Sequence, residues 1–176
     1  METKPARGRE TVGPPGGPTV KIPAGFTITI TGQPPYDMVF VTAWDPDRRQ
    51  LVLRDATFTM ADTEPVRMAS LIRIAIAELT VDAMETAVLG DRGWAGIVDD
   101  HPGTEPERVD ALVYLLSVAL GSQKPSANVA IARGLSPASG PKRVGHARKA
   151  GLLPETESGV ATAGLSTFQK TAKSRR

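Results

Sequence analysis

The chain of 176 residues contains no cysteine, which excludes disulfide bonds, thiolate chemistry and zinc sites built on cysteine. Histidine is also scarce, since His101 and His146 are the only two and lie far apart in the sequence. A metal site would therefore depend almost wholly on carboxylates, and the ligand spacing of a calcium-binding EF-hand loop does not occur. The sequence predicts a protein with no metal site and no cofactor.

Long apolar runs are missing too. No run of about 18 apolar residues occurs, so we expect no membrane-spanning segment. The first residues, METKPARGRETVGPPGGP, lack the apolar region of a secretory signal, and a cytoplasmic protein is therefore expected. Aromatic residues make up only 5% of the chain, while 40% is hydrophobic, which predicts a core of mainly aliphatic side chains.

Catalytic motifs are absent as well. The sequence has neither a glycine-rich phosphate loop nor a nucleophile motif. Asp99, Asp100 and His101 form the one cluster that suggests acid–base or metal chemistry, and no further ligand stands at a supporting spacing. We interpret the cluster as a solvated loop whose acids cap a helix, and we do not expect an enzyme.

Charge is strongly segregated along the chain, although the formal net charge is only +2. Residues 37–120 carry 7 basic and 15 acidic side chains, whereas residues 121–176 carry 10 basic and 2 acidic ones. A phosphate backbone is the simplest target for such a block of positive charge, so this segment predicts a nucleic-acid partner. The alternative is a solvated basic tail that binds acidic molecules only loosely.

The N-terminal part of the chain predicts a small antiparallel sheet. Residues 1–20 are rich in proline, glycine and charge, and are expected to be a disordered arm. Apolar alternation predicts strands at Gly25–Thr31, Met38–Trp44 and Gln50–Arg54, with an Asp-Pro-Asp turn after the second. Ala56–Met60 either continues the third strand or forms a fourth. Such a meander is unstable alone and needs a cover over its apolar face.

Helical patterns follow the predicted sheet. Residues 64–89 are expected to cover it, as one helix or as two broken near Thr80 and Val81. Residues 91–104 are expected to be a linker loop, and Glu105–Leu120 a supporting helix. The expected fold class is α+β, with a strand-and-helix domain at 21–90, a helical domain at 105–154 and a basic, mostly disordered tail at 155–176.

Residues 124–153 have the pattern of a helix-turn-helix, the motif that places its second helix in the DNA major groove. A short apolar helix begins at Pro125 or Ser126, and Gly134 supplies the freedom that the turn requires. A basic second helix is expected at about residues 139–150. Four inward-facing residues are expected in the two helices, namely Val129, Ala130, Val144 and Ala147, and Ala132 is a further candidate.

The turn and the second helix carry further expectations. Leu135 is expected to fill the angle between the two helices, and Ser136 or Ser139 to cap the second one. Three polar residues spaced four and three apart should share the face opposite the core. These are Lys142, His146 and Lys149.

This segment resembles small helix-turn-helix (winged-helix-like) DNA-binding proteins of actinobacterial type, many of which carry an N-terminal strand meander. The resemblance covers about 50 C-terminal residues and implies DNA binding without catalysis. Its matching residues are Ala130, Gly134, Leu135, Ser136, Val144, Ala147, Arg148, Gly151, Leu152, Leu153 and Pro154.

Two positions depart from the family pattern. Arg133 stands where the family has a buried leucine, so either its side chain snorkels or the first helix ends early. Gly140 and Pro141 interrupt the second helix of the family, and we therefore expect that helix to begin near Ser139, with Pro141 in its first turn. The alternative is that Gly140 and Pro141 disrupt the second helix, so that the motif no longer reads bases.

The sequence thus favours a DNA-binding protein of the transcription-regulator class, with double-stranded DNA as its partner and the second helix as its recognition helix. The alternative is a protein-interaction or scaffold module that retains a degenerate helix-turn-helix. Homodimerisation is left open, because no heptad pattern enforces it. Seven residues are expected to contact phosphates or bases: Lys124, Ser139, Lys142, Arg143, His146, Arg148 and Lys149.

Overall fold

A computed structural model of the chain describes residues 1–31, 36–60 and 76–154. Its main sheet has four antiparallel strands in the order β1-β4-β5-β6, and a separate hairpin is formed by β2 and β3. The strands are β1 (Glu2–Pro5), β2 (Arg9–Val12), β3 (Val20–Pro23), β4 (Gly25–Ile30), β5 (Tyr36–Asp45) and β6 (Gln50–Met60).

The predicted meander is confirmed in β4, β5 and β6, which pair consecutively and antiparallel. Alternation buries one face of the sheet, on which Phe26, Ile28 and Phe40 are inaccessible to solvent. β6 is one continuous strand, and an irregularity in its register lies opposite Val41 and Thr42. This resolves the question of whether a fourth strand begins after the third: the third strand continues.

The predicted disorder of residues 1–20 is wrong. β1 pairs with β4 along its whole length and supplies the hydrogen-bonding partner that β4 would otherwise lack. β2 and β3 form a hairpin that buries Val12 and Ile22. The proline- and glycine-rich residues 13–19 connect these strands, and the Gly16 carbonyl accepts a hydrogen bond of 2.7 Å from Arg108. Their composition is that of a turn between two short strands.

Five α-helices occur in the part of the chain that the structure describes, and all follow the strands. Their bounds are α1 (Ile76–Leu89), α2 (Gly93–Asp99), α3 (Pro106–Ala119), α4 (Pro125–Ala132) and α5 (Gly140–Lys149). Short 3₁₀ helices precede α2 and α5, at Gly90–Arg92 and Pro137–Ser139.

α1 packs on the apolar face of the sheet, as the sequence predicted for residues 64–89. Its Met84 is buried, and the Sδ atom lies 3.7 Å from the hydroxyl of Thr42 in β5. The helix is unbroken near Thr80, whose hydroxyl donates to the Ile76 carbonyl one turn earlier at 2.8 Å. The N-terminal part of the predicted helix, up to residue 75, lies outside the described residues.

The predicted linker loop at residues 91–104 is wrong over its first half, because residues 93–99 form α2. This helix buries Trp94 and Ile97 against the core. Gly90 and Gly93 both have positive φ, at 60° and 54°, which lets the chain redirect twice between α1 and α2. The two glycines and the shortness of the helix hid its apolar face from the sequence pattern.

α3 is the central helix of the molecule, since every residue from Val109 to Ala119 is buried. α4 and α5 pack on it and form the predicted three-helix unit. One continuous cluster of buried side chains joins this unit to the sheet, and the fold class is α+β. Within residues 1–31, 36–60 and 76–154, no helix is both long and apolar enough to span a membrane.

Candidate nucleic-acid interface

The turn between α4 and α5 starts with a glycine in the left-handed region. Gly134 has a φ of 65°, its N–H donates to the Ile131 carbonyl, and the N–H of Leu135 donates to the Ala130 carbonyl, both at 2.9 Å. These bonds satisfy the last carbonyls of α4 and end the helix. The predicted use of Gly134 is thus confirmed.

The expected burial of Leu135 is wrong, because 43% of this residue is exposed. Ile131, four residues earlier, is 49% exposed. The core at these helices is formed instead by fully buried side chains such as Val129 and Val144, and the start of α5 lies directly against α4 at Ser126. The turn therefore presents two aliphatic side chains to solvent.

α5 begins at Gly140, where it touches the first turn of α4. A Cβ atom at position 140 would overlap the carbonyl oxygen of Ser126. Pro141 then lies in the first turn of α5, as predicted, where its missing N–H costs no helical hydrogen bond. Gly140 is therefore the residue that lets the N-terminal ends of α4 and α5 meet.

The two faces of α5 match the prediction. Val144 and Ala147 are completely buried, whereas Lys142, His146 and Lys149 are exposed. The helix thus offers solvent two ammonium groups and one imidazole, from positions spaced four and three apart. Every charged side chain in residues 121–154 is basic, so this part of the chain has no carboxylate of its own to neutralise them.

Arg133 and Arg143 both bind the buried carboxylate of Asp110 in α3. Arg133 Nε donates to Asp110 Oδ1 at 2.9 Å and its Nη2 donates to the Pro106 carbonyl at 3.0 Å. Arg143 Nη2 lies 2.7 Å from Asp110 Oδ2. The sequence left two alternatives at Arg133, and the structure shows the second: α4 ends early, at Ala132. Arg143, predicted to contact DNA, instead points towards α3.

Arg148 also contacts α3. Its guanidinium donates to the hydroxyl of buried Tyr114 at 3.2 Å, and its Cζ lies 5.4 Å from the centre of the Tyr114 ring. This distance is typical of a cation–π contact. The Nε atoms of Arg143 and Arg148 are buried without a hydrogen-bond partner among the described residues. The structure therefore separates these two arginines from Lys142, His146 and Lys149.

Ser139 precedes α5 but does not cap it through its side chain. The residue has helical dihedrals, because the 3₁₀ turn runs directly into α5, and its hydroxyl lies 3.3 Å from that of Ser136. The same 3₁₀ turn keeps Ser136 from capping α5. The capping prediction is therefore wrong, although Ser139 remains partly accessible at the N-terminal end of the helix.

Lys124 is exposed and immediately precedes α4. It lines a groove of about 210 Å³ between α1 and the start of α4. The wall of the groove formed by α1 carries carboxylates, so the ammonium group of Lys124 shares the groove with acidic side chains. The groove is lined by Ala77, Glu78, Val81, Asp82, Glu85, Ser122, Gln123, Lys124 and Asn128.

Glu85 and Asn128 connect α1 to α4, a feature that the sequence did not indicate. Glu85 accepts hydrogen bonds of 3.3 Å from Trp94 Nε1 and from Asn128 Nδ2. Burial raises the pKa of Glu85, the two hydrogen bonds oppose that shift, and nearby Asp82 adds to it. Asn128 Nδ2 also lies within hydrogen-bonding distance of the hydroxyls of Ser117 and Ser122, at 3.2 and 3.1 Å. Nothing in sequence spacing links these residues.

In the cluster of Asp99, Asp100 and His101, the side chains of Asp100 and His101 each make a separate local contact. Asp100 binds Arg92 through two hydrogen bonds of 2.6 and 2.8 Å, which lower the pKa of the carboxyl. His101 Nδ1 donates to the Ile97 carbonyl at 2.8 Å. Over the described residues, no three histidine or acidic side chains are arranged to hold a metal ion.

Comparison with known proteins does not assign the chain to a family. No protein-family model matches it, and no characterised protein or solved structure is significantly similar to it.

Proposed function

We propose that this protein binds double-stranded DNA, with α5 as the recognition helix, and that it acts as a transcription regulator. The observation that carries the proposal is the division of α5 into two faces. Val144 and Ala147 anchor one face in the core, and Lys142, His146 and Lys149 project from the other. A helix held in this way can enter the major groove with its polar face towards the bases.

The positive charge of the C-terminal part of the chain also favours DNA as the partner. The segment containing α4 and α5 carries positive charge alone, and the chain continues into a basic tail at residues 155–176, which lies outside the described residues. Neutralising phosphates with such side chains releases counterions, which favours association with any duplex. The basic tail would add affinity that does not depend on base sequence.

The exposed face of α5 is small, which limits how much sequence it can read. Lys142 is exposed and carries an ammonium group, which can bind guanine O6 and N7, and exposed His146 follows one turn further along. Because Arg143 and Arg148 bind α3, they are poorly placed for base contacts unless they leave their partners. We therefore expect modest base specificity from one copy, and a dimer on two half-sites about 34 Å apart would increase it. A DNA-binding role also accords with a cytoplasmic location.

The test is a titration of fluorescently labelled duplex DNA monitored by anisotropy. The triple variant Lys142→Ala/His146→Ala/Lys149→Ala removes the exposed polar face and should bind more weakly than wild type. The matched control is Lys21→Ala/Arg54→Ala, which also removes two formal positive charges, but from exposed positions in the strand region. Equal weakening in both variants would reduce the interaction to net charge and reject α5 as the recognition helix.

A second candidate function is a protein-interaction module, favoured by the exposure of Ile131 and Leu135. Exposed aliphatic side chains close together in sequence are typical of partner-binding surfaces when they join into a patch. This function predicts that wild type fails to bind duplex DNA even at about 100 μM and low salt, a limit beyond ordinary non-specific affinity. It also predicts that Ile131→Ser/Leu135→Ser changes association with a protein partner or with itself, as sedimentation would detect.

A further inference from the structure

We infer that Asp110 and Tyr114 of α3 are positioning residues that determine which face of α5 is turned towards solvent. The inference rests on the proposed function for its consequence in DNA binding, but its structural part is independent of DNA. Neither residue lies on α5. Each holds an arginine of α5 that sequence reasoning assigned to DNA.

Two side chains of α3 each contact one arginine of α5. Asp110 and Tyr114 are four residues apart and therefore lie on one face of α3. Arg143 and Arg148, near the two ends of α5, reach these residues at 2.7 Å and 3.2 Å. Two polar contacts along a short helix fix both its rotation about its axis and its position along α3. The apolar contacts alone, from Val144 and Ala147, are less directional.

Asp110 also links α5 to α4. One carboxylate oxygen accepts from Arg133, which directly follows α4, and the other pairs with Arg143 in the first turns of α5. The Asp110 side chain is 3% exposed, so these two guanidinium groups satisfy a charge that water cannot reach. The angle between the two helices of the motif is therefore tied to a single carboxylate on the helix behind them.

The consequence concerns Lys142, which directly precedes Arg143, and His146, which lies between Arg143 and Arg148. If Asp110 no longer holds Arg143, α5 can rotate or fray at its N-terminal end, and the exposed face loses its fixed direction. DNA binding then weakens although every exposed basic residue is still present. Asp110 and Tyr114 would thus affect the affinity for DNA without contacting DNA themselves.

The test uses the absence of cysteine from the chain. Single variants Val144→Cys and His146→Cys place a thiol on the buried and the exposed face of α5, and an aromatic disulfide reagent measures their rates of modification. In the otherwise wild-type protein the thiol at position 146 should react much faster than the one at 144. Adding Asp110→Asn should reduce the ratio of the two rates by about tenfold or more, because losing the carboxylate that holds both Arg133 and Arg143 favours local opening of α5.

Two further variants keep the inference testable if Asp110→Asn does not fold. Arg143→Gln leaves the pair of Asp110 and Arg133 intact, and Tyr114→Phe removes only a hydroxyl. Both variants should reduce the ratio of the modification rate at position 146 to the rate at position 144. Lys142→Gln, the adjacent change on the exposed face, should leave this ratio unchanged. The double variant Asp110→Asn/Arg143→Gln should lose less than the sum of the single variants, because the two side chains act as a pair.

The outcomes separate this inference from the proposed function. A rate ratio that stays the same in Arg143→Gln and Tyr114→Phe overturns the positioning role, whatever happens to DNA affinity. A ratio that narrows in a protein that never binds DNA supports the positioning role and rejects the proposed function. Where both hold, Arg143→Gln should weaken DNA binding, and Lys142→Gln should do so without changing the ratio.

Discussion

Gly140 lies directly against the carbonyl oxygen of Ser126, so closely that even a single methyl group at position 140 would overlap it. This contact joins the N-terminal ends of α4 and α5. Replacing the glycine with alanine must push the helices apart, and we expect Gly140→Ala to lower the free energy of unfolding by about 1–3 kcal/mol, as overpacking does. Urea denaturation would measure the change.

Gly145 provides the matched control for that substitution. It lies in the same helix, and a Cβ there would meet no atom within 4 Å outside its own helix. Gly145→Ala should therefore stabilise the protein by about 0.5–1 kcal/mol, because glycine is the poorer helix former. If both variants are destabilised equally, the close approach at Gly140 is not the cause.

The buried carboxylate of Asp110 should matter far more for stability than an exposed one with similar hydrogen bonds. Asp110→Asn removes the buried carboxylate that two partly exposed guanidinium groups contact, and losses of about 1–3 kcal/mol are usual when a buried polar group is left without its partner. Asp100→Asn is the comparison, since Asp100 binds Arg92 at 2.6 and 2.8 Å on the surface. Chemical denaturation should show a large loss in the first variant and little change in the second.

The exposure of Leu135 in the turn between α4 and α5 predicts that this side chain contributes little to stability. Leu135→Ala should change the free energy of unfolding by no more than about 0.5 kcal/mol, as is usual for a surface position. The same substitution at fully buried Leu116 should cost about 2–5 kcal/mol. A large loss at Leu135 in thermal or urea unfolding would mean that this side chain fills the angle between the helices after all.

Glu85 should make stability depend on pH in a definite direction. Because burial raises its pKa, the native state keeps the proton to a higher pH than the unfolded chain does. Its contribution favours folding most below the unfolded pKa and is lost as pH rises through the folded pKa. The stability of Glu85→Gln relative to wild type should therefore increase as the pH rises from the unfolded pKa through the higher folded pKa of Glu85.

Urea denaturation at several pH values would measure this difference. Glu78→Gln makes the same change at an exposed position of α1, and serves as the control. A relative stability of Glu85→Gln that falls with pH, or that follows the control at every pH, would be inconsistent with a raised pKa.

Local patterns predicted much of the fold. Alternating apolar residues identified β4, β5 and most of β6, and helical spacing identified α3, α4, α5 and the inward positions of Val144 and Ala147. These elements were predictable because each buries one regular face. The strands β1 to β3 were not, since the proline- and glycine-rich segment around them resembled disorder and their partners become apparent only in the folded sheet.

The candidate site was predictable only in part, for a similar reason. The spacing of Lys142, His146 and Lys149 is local, and so their shared exposure followed from helix geometry. The roles of Arg133, Arg143 and Arg148 depend on Asp110 and Tyr114, more than 20 residues away in the chain. Charge made Arg143 and Arg148 resemble DNA contacts, and their packing on α3 is what distinguishes them from Lys142, His146 and Lys149.

The salt dependence of DNA binding tests the central claim most directly. Affinity for a labelled duplex should be measured at several salt concentrations for wild type, for Lys142→Ala/His146→Ala/Lys149→Ala and for the charge-matched Lys21→Ala/Arg54→Ala. Log K should fall with log salt by about 0.9 for each phosphate contacted, and the α5 variant should bind more weakly with a slope smaller by up to about 1.8 for its two lysines. An α5 variant with the affinity and slope of wild type would contradict α5 as the DNA-binding helix.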